Sequence, residues 1–355
     1  MAAVLAAGTW ISHRQADGSP SRTFHYTSNP VKVDGIYPSM FGPTDTKMNI
    51  KLGTEVPELV WITGYSARMV DPQGRQKSQE FMCHDTLSFH SRESHGKLFG
   101  RVQANQQRLF TLSQGQERVD FPEGFGIPLS SHEPLMLQSQ VLNLREEGIG
   151  ATISHRVETK FVTDRESKVP MKALTLVGGG IGLDVLDPQA QEPPDDPMGC
   201  AIDAGGQPTH ALPGRRVTSH WVVKPGYEKR ETNLGKMFPI DSKAHYISVH
   251  MHNYGKSLEL FDVTAGKSVF KSNCSWSEDG KGLAEATHYS STEGIAVFKN
   301  HQYKLISEYD NTSGKDQTAM AFIFVYIHNP DFEKPSEDEL FRQSLSDELC
   351  AVPEK

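Results

Sequence analysis

The chain has 355 residues, 37% hydrophobic and 23% charged, with a formal net charge of −8. That length exceeds one ordinary core, so two domains are expected. The composition is that of a globular protein: no apolar run is long enough to span a membrane, and the scattered Lys and Arg form no basic patch for nucleic acid, which is discarded as a partner.

The opening MAAVLAAGTWISHRQ holds a short apolar run but no basic leader and no full hydrophobic stretch, so no intact signal peptide is read there. In chain order, MNIKLG, LVWITGYSARMV, LMLQSQVLNL and ATISHRVETKFV read as strands, followed beyond residue 213 by TSHWVVKPG, YISVHMH, SLELFDVT, IAVFKN and AMAFIFVYI. Gly, Pro, Asn and Asp punctuate them, and helical periodicity is almost absent. The expected fold class is all-β, two tandem antiparallel jelly-roll or β-sandwich domains. LDVLDPQAQEPPDDPMGCAIDAGGQPTHALP, rich in Pro, Gly and Asp, reads as a connection. The expected division is an N-terminal domain 1–165, a linker region 166–213, a C-terminal domain 214–335 and an acidic tail 336–355 with one short helix after Ser336. Four cysteines, Cys83, Cys200, Cys274 and Cys350, show neither a disulfide framework nor zinc-finger spacing, and pairing of Cys200 with Cys274 stays open. Asn273-Cys-Ser and Asn311-Thr-Ser fit the glycosylation pattern, a triplet that often arises by chance.

In HYISVHMHNYGK, alternation puts Ile247, Val249 and Met251 on one face and Tyr246, Ser248, His250 and His252 on the other. The apolar row is the natural core face, leaving the histidine pair facing away from it. Such a pair can grip a metal ion, although an isolated His-x-His is more often two solvated side chains. Met320 opens AMAFIFVYI, whose polar residue is Tyr326 alone, so burial on both faces is expected. A methionine there ordinarily fills a core; two imidazoles with a thioether, however, form a copper set rather than a zinc or magnesium one. A second concentration of donors lies in EFMCHDTLSFH, with Cys83, His84 and His90, and His132 follows. Neighbours on a strand point to opposite faces, so Cys83 and His84 could share an ion only at a bulge or a strand end.

HYISVHMHNYGKSLELFDV followed by GKDQTAMAFIFVYI resembles the C-terminal half of the copper type II, ascorbate-dependent monooxygenases, the group of the peptidylglycine alpha-hydroxylating and dopamine beta-monooxygenases. Gly255-Lys256 and HWVVKPGYEKRE fit the same pattern. In the N-terminal half, FMCHDTLSF resembles the family's strand with paired histidines, and FPEGFGIPLSSHEPLMLQSQVLNL its approach to a third histidine. The resemblance runs from about Gly35 to Asn329. It implies two jelly rolls side by side with copper facing an open cleft, His250, His252 and Met320 as ligands of the ion at which oxygen and substrate meet, ascorbate as reductant, a small-molecule or peptide substrate, and an extracytoplasmic location.

The departures from that family are specific. Cys83 and His84 stand where it has two histidines, and Leu142 where it has the third. The first site is therefore expected to be degenerate, or rebuilt with a residue such as His90 or His132. Ser248 replaces the family's substrate-binding Arg, and Phe322 and Phe324 fall near its Asn and Tyr, so a fork for a peptide carboxylate is missing. Three functions follow: oxidation of a substrate at a single His2Met copper, a copper-binding or interaction module without catalysis, and, ranked last, hydrolysis in the manner of peptide N-glycosidases using carboxylates such as Asp85 or Glu133.

Overall fold

The computed structural model describes residues 9–14, 20–53, 56–99, 108–144, 150–184, 186–191, 217–277 and 282–350. The chain folds into two antiparallel β-sandwiches. In the first, the strands Pro20–Thr27, Thr152–Thr163, Leu59–Val70 and Phe125–Ser130 face a four-stranded sheet of Thr44–Ile50, Leu135–Val141, Met82–Phe89 and Arg108–Leu112. In the second, Lys172–Gly180, Ala321–His328, Ser242–Met251 and Tyr289–Val297 face a five-stranded sheet running from Gly226–Gly235 to Leu283–Ala286. No helix among the described residues is long and apolar enough to cross a membrane.

Lys172–Gly180 corrects the expected linker region, 166–213, whose first part is a nine-residue strand. It pairs antiparallel with Ala321–His328 and, through Lys172 and Ala173, parallel with Phe125–Ser130, so one sheet continues from the first sandwich into the second. Its pairing with Ala321–His328 runs from Leu174 through Gly178, Gly179 and Gly180, and that triple glycine masks the strand from a reading by turn residues. Residues 192–216, with Cys200, lie outside the described residues.

The sheet holding Ala321–His328 and Ser242–Met251 is buried on both sides. Ile247, Val249, Met251, Ile323 and Val325 enter the core of the second sandwich, whereas Tyr246, Phe322, Phe324 and Tyr326 enter that of the first. Burial of AMAFIFVYI on both faces accords with expectation. The face bearing His250 is not solvated, however: Tyr246 and Ser248, four and two positions before it, are each 1% exposed. The buried phenols are satisfied across the boundary, Tyr326 donating to the Leu109 carbonyl at 2.9 Å and Tyr246 to that of Arg118 at 3.2 Å.

The helix after Ser336 spans Glu337–Cys350. Ser336 caps it, its hydroxyl accepting from Glu339 N while the Glu339 carboxylate accepts from Ser336 N at 2.8 Å, the reciprocal arrangement coded by S-x-x-E. Leu340 packs with Leu59, Trp61 and Phe99, docking the acidic tail on the first sandwich.

The loop 38–43 carries Ser39 and Met40 toward the second sandwich and is pinned by Gly42. A Cβ at Gly42 would lie 1.7 Å from the Val141 carbonyl oxygen, which belongs to strand backbone and cannot yield. Gly42→Ala is expected to destabilise the protein by about 3 kcal/mol through this overlap, read as a lower urea midpoint.

Candidate functional site

One small cavity, about 20 Å³, lies between the two sandwiches, and its wall contains Cys83, His84, His250, His252 and Met320 together with Ser39, Met40, Arg108, Thr111 and Phe324. The two groups of donors read separately in the sequence thus meet at one place. In the family pattern they would serve two centres facing an open cleft; here both faces of the intervening sheet are covered, and the donors look into one small, partly open cavity.

The local causes are legible residue by residue. On the first sandwich, Gln140 pairs His84 while the next residue, Val141, pairs Met82, so Cys83 is the extra residue of a β-bulge. The bulge lets adjacent Cys83 and His84 line the same cavity, which a regular strand would forbid. On the second, His250 is the penultimate residue of Ser242–Met251 and His252 lies just past its end. Met320 is the single residue between the strands Gln317–Ala319 and Ala321–His328, and its carbonyl accepts from His252 N at 3.2 Å and from the Tyr309 hydroxyl at 2.6 Å. Tyr309, which sequence reasoning passed over, clamps the corner where His252 and Met320 meet.

Ser39 reaches across from the first sandwich: its hydroxyl lies 3.1 Å from His252 Nε2 and 3.7 Å from Cys83 Sγ. His250 Nδ1 is 2.8 Å from the Ser113 hydroxyl, which fixes the ring and leaves Nε2 as the nitrogen available for ligation. The rings of His250 and His252 are 5.3 Å apart. Two imidazoles on one ion, with metal–nitrogen bonds of about 2.0 Å, place their centroids roughly 5 Å apart. Among the described residues, no three His, Cys, Asp or Glu side chains converge on a common point as they stand; a set of two imidazoles and a thioether is not of that kind.

Burial depresses the basicity of these histidines. His84 and His250 are each pushed down to about 3, by loss of solvation first and then by neighbouring positive charge, from Arg108 at His84 and from His84 at His250. His252 lies well below the usual histidine range for the same first reason, with His250 and His220 adding to it and the Thr318 backbone opposing. Neutral imidazoles are the ligand form, so no proton competes for them near neutrality. Burial raises the Cys83 thiol, so that side chain rests as a thiol until a cation lowers it. The donor set therefore fits a soft, low-coordinate ion such as Cu(I).

The remaining sequence candidates lie elsewhere. His90 is not on the cavity wall, and His132 Nδ1 is 3.0 Å from the Ser344 hydroxyl on the C-terminal helix, so neither rebuilds a first site. Leu142 is buried, its N–H bound to the Phe81 carbonyl. The carboxylates considered for hydrolysis are structural. Asp85 is 0% exposed and held by Tyr65, by Ser139 at 2.6 Å and by His155 at 3.4 Å, while Glu133 pairs with His95 at 3.0 Å. Cys83 and Cys274 are free thiols, with Cys274 lying 3.7 Å from the Met251 sulfur. Asn311 is 1% exposed and its amide donates to Val223 and Lys315 carbonyls, so the triplet it begins is not an accessible acceptor.

No protein-family model matches the chain, and no curated protein does. Among solved structures, the chain is similar to the major capsid protein P2 of bacteriophage PM2, at 9% sequence identity and a TM-score of 0.28, over 87% of this chain and 100% of that one.

Proposed function

We propose that this chain is a copper protein with one buried centre, held by His250, His252 and Met320, with Cys83 and His84 facing it from the other sandwich. The observation that carries this reading is the composition of one cavity wall: two neutral imidazoles, a thioether, a thiol and a third histidine around a space sized for an ion. Burying so many polar side chains together costs about 1–3 kcal/mol for each group left unsatisfied, a cost that a soft cation would offset. When bound, copper supplies one-electron chemistry. The chain's own residues hold the imidazoles neutral, orient His250 through Ser113 and His252 through Ser39, and line part of the wall with the apolar side chains of Phe324 and Met40.

The small volume favours binding without turnover. Oxidation of a small-molecule or peptide substrate, with ascorbate as reductant, is the second reading. It is favoured by Arg108, a half-buried guanidinium on the wall that ligates no metal but suits a carboxylate. For glycopeptide hydrolysis, the two carboxylates considered, Asp85 and Glu133, are both buried and paired.

Loading metal-free protein anaerobically with Cu(I) and counting the bound ions is expected to give one per chain, with nitrogen and sulfur neighbours by X-ray absorption. Zero bound ions would sink the proposal, and two would restore the two-centre scheme of the family. Ascorbate-dependent oxygen consumption by the loaded protein would select the second reading over the first.

A further inference from the structure

We infer that His220 is a third imidazole ligand of the same ion, so that the centre is built by His220, Met320, His252 and His250 on three neighbouring strands; this rests on the copper-binding reading above. His220 opens the segment HWVVKPGYEKRE, just ahead of the short strand Trp221–Val223, and that pattern assigns it no ligand role. Its place follows from register. Trp221 pairs Ala319, and Met251 pairs Ala321. One step further along each ladder, His220 and His252 flank Met320 on either side, and residues opposite one another on neighbouring strands share a face. Although the strand of Met320 lies between their backbones, the rings of His220 and His252 approach to 5.9 Å. His252 and His250 are 5.3 Å apart in turn, so the three imidazoles form a chain around Met320.

A second observation points to a ligand independently. His220 is 3% exposed, and neither of its ring nitrogens has a hydrogen-bond partner among the described residues. Nδ1 of His252 is likewise buried without one. A buried polar group without a partner is rare in folded proteins and calls for an ion, a water or a function. Backbone contacts hold His220 in place: its N–H donates to the Thr218 hydroxyl at 3.2 Å and its carbonyl accepts from Gln191 N at 2.9 Å. As it stands the ring lies beside His252, off the cavity wall. Closing the set requires the two rings to move from 5.9 Å to roughly 5 Å apart, a matter of side-chain rotation.

The test titrates metal-free wild-type protein and His220→Phe with Cu(I) against a chromophoric Cu(I) chelator, with X-ray absorption of the loaded forms and melting of the metal-free ones. Phenylalanine keeps the ring volume and removes both unpartnered nitrogens. The expected results are Cu(I) binding weakened at least about tenfold, one fewer nitrogen neighbour, and a metal-free melting temperature no lower than wild type. If His220→Phe does not fold, His220→Gln carries the same test. Unchanged affinity with an unchanged nitrogen count overturns the assignment, as does a lower metal-free melting temperature with unchanged affinity, which would make His220 structural. Wild-type protein that binds no Cu(I) overturns the copper reading itself, a distinct outcome.

Discussion

Met320→Ile is expected to weaken Cu(I) binding by roughly a hundredfold while changing Cu(II) binding by less than about threefold. The side chain is 3% exposed, and isoleucine is close to it in volume and apolarity, so the penalty to the fold should stay below about 1.5 kcal/mol. What disappears is the thioether, a soft donor that reduced copper prefers and oxidised copper hardly needs. The backbone role of residue 320, accepting from Tyr309 and His252 through its carbonyl, survives the change. Competition titrations of both oxidation states, run beside urea unfolding, separate the two contributions. Equal Cu(I) affinity in the variant would remove Met320 from the centre and leave His250 and His252 without their soft partner.

Asp85→Ala should lower stability by about 3–5 kcal/mol, visible as a large drop in the urea midpoint with an unchanged slope. Asp85 sits at 0% exposure, accepting from Tyr65 and from Ser139 at 2.6 Å, with His155 Nδ1 3.4 Å away. Truncation leaves the buried hydroxyls of Tyr65 and Ser139 without their acceptor. Asp85→Asn keeps one acceptor oxygen and should cost less. If Asp85→Ala were as stable as wild type, the network would be ornamental, and its carboxylate would again be available for chemistry.

The fold class was legible because alternation survives where one face meets a core, as in LVWITGYSARMV, which matches the strand Leu59–Val70. It was least legible at Lys172–Gly180, where three glycines imitate a loop although backbone pairing needs no side chain. His250, His252 and Met320 could be singled out by residue type and alternation. That Cys83 and His84 would share their cavity could not, since a bulge is a property of the pairing between two strands rather than of either sequence alone. His220 was invisible for a related reason: it gains meaning from the register of three strands whose segments lie far apart in the chain. The single-residue interruption at Met320 was masked because Met320 reads as the opening of the apolar run that follows it.

The middle sheet also dictates how this molecule can come into being. Phe322, Phe324 and Tyr326, which fill the core of the first sandwich, belong to Ala321–His328, far along the chain from the strands they cover. During synthesis the N-terminal half therefore emerges with part of its hydrophobic interior uncapped, and it stays so until Ala321–His328 has followed. Neither half is an autonomous folding unit, and severing the chain between them would yield two sticky fragments rather than two small proteins. The same wall makes the structure resistant to opening like a hinge, because the halves share a layer.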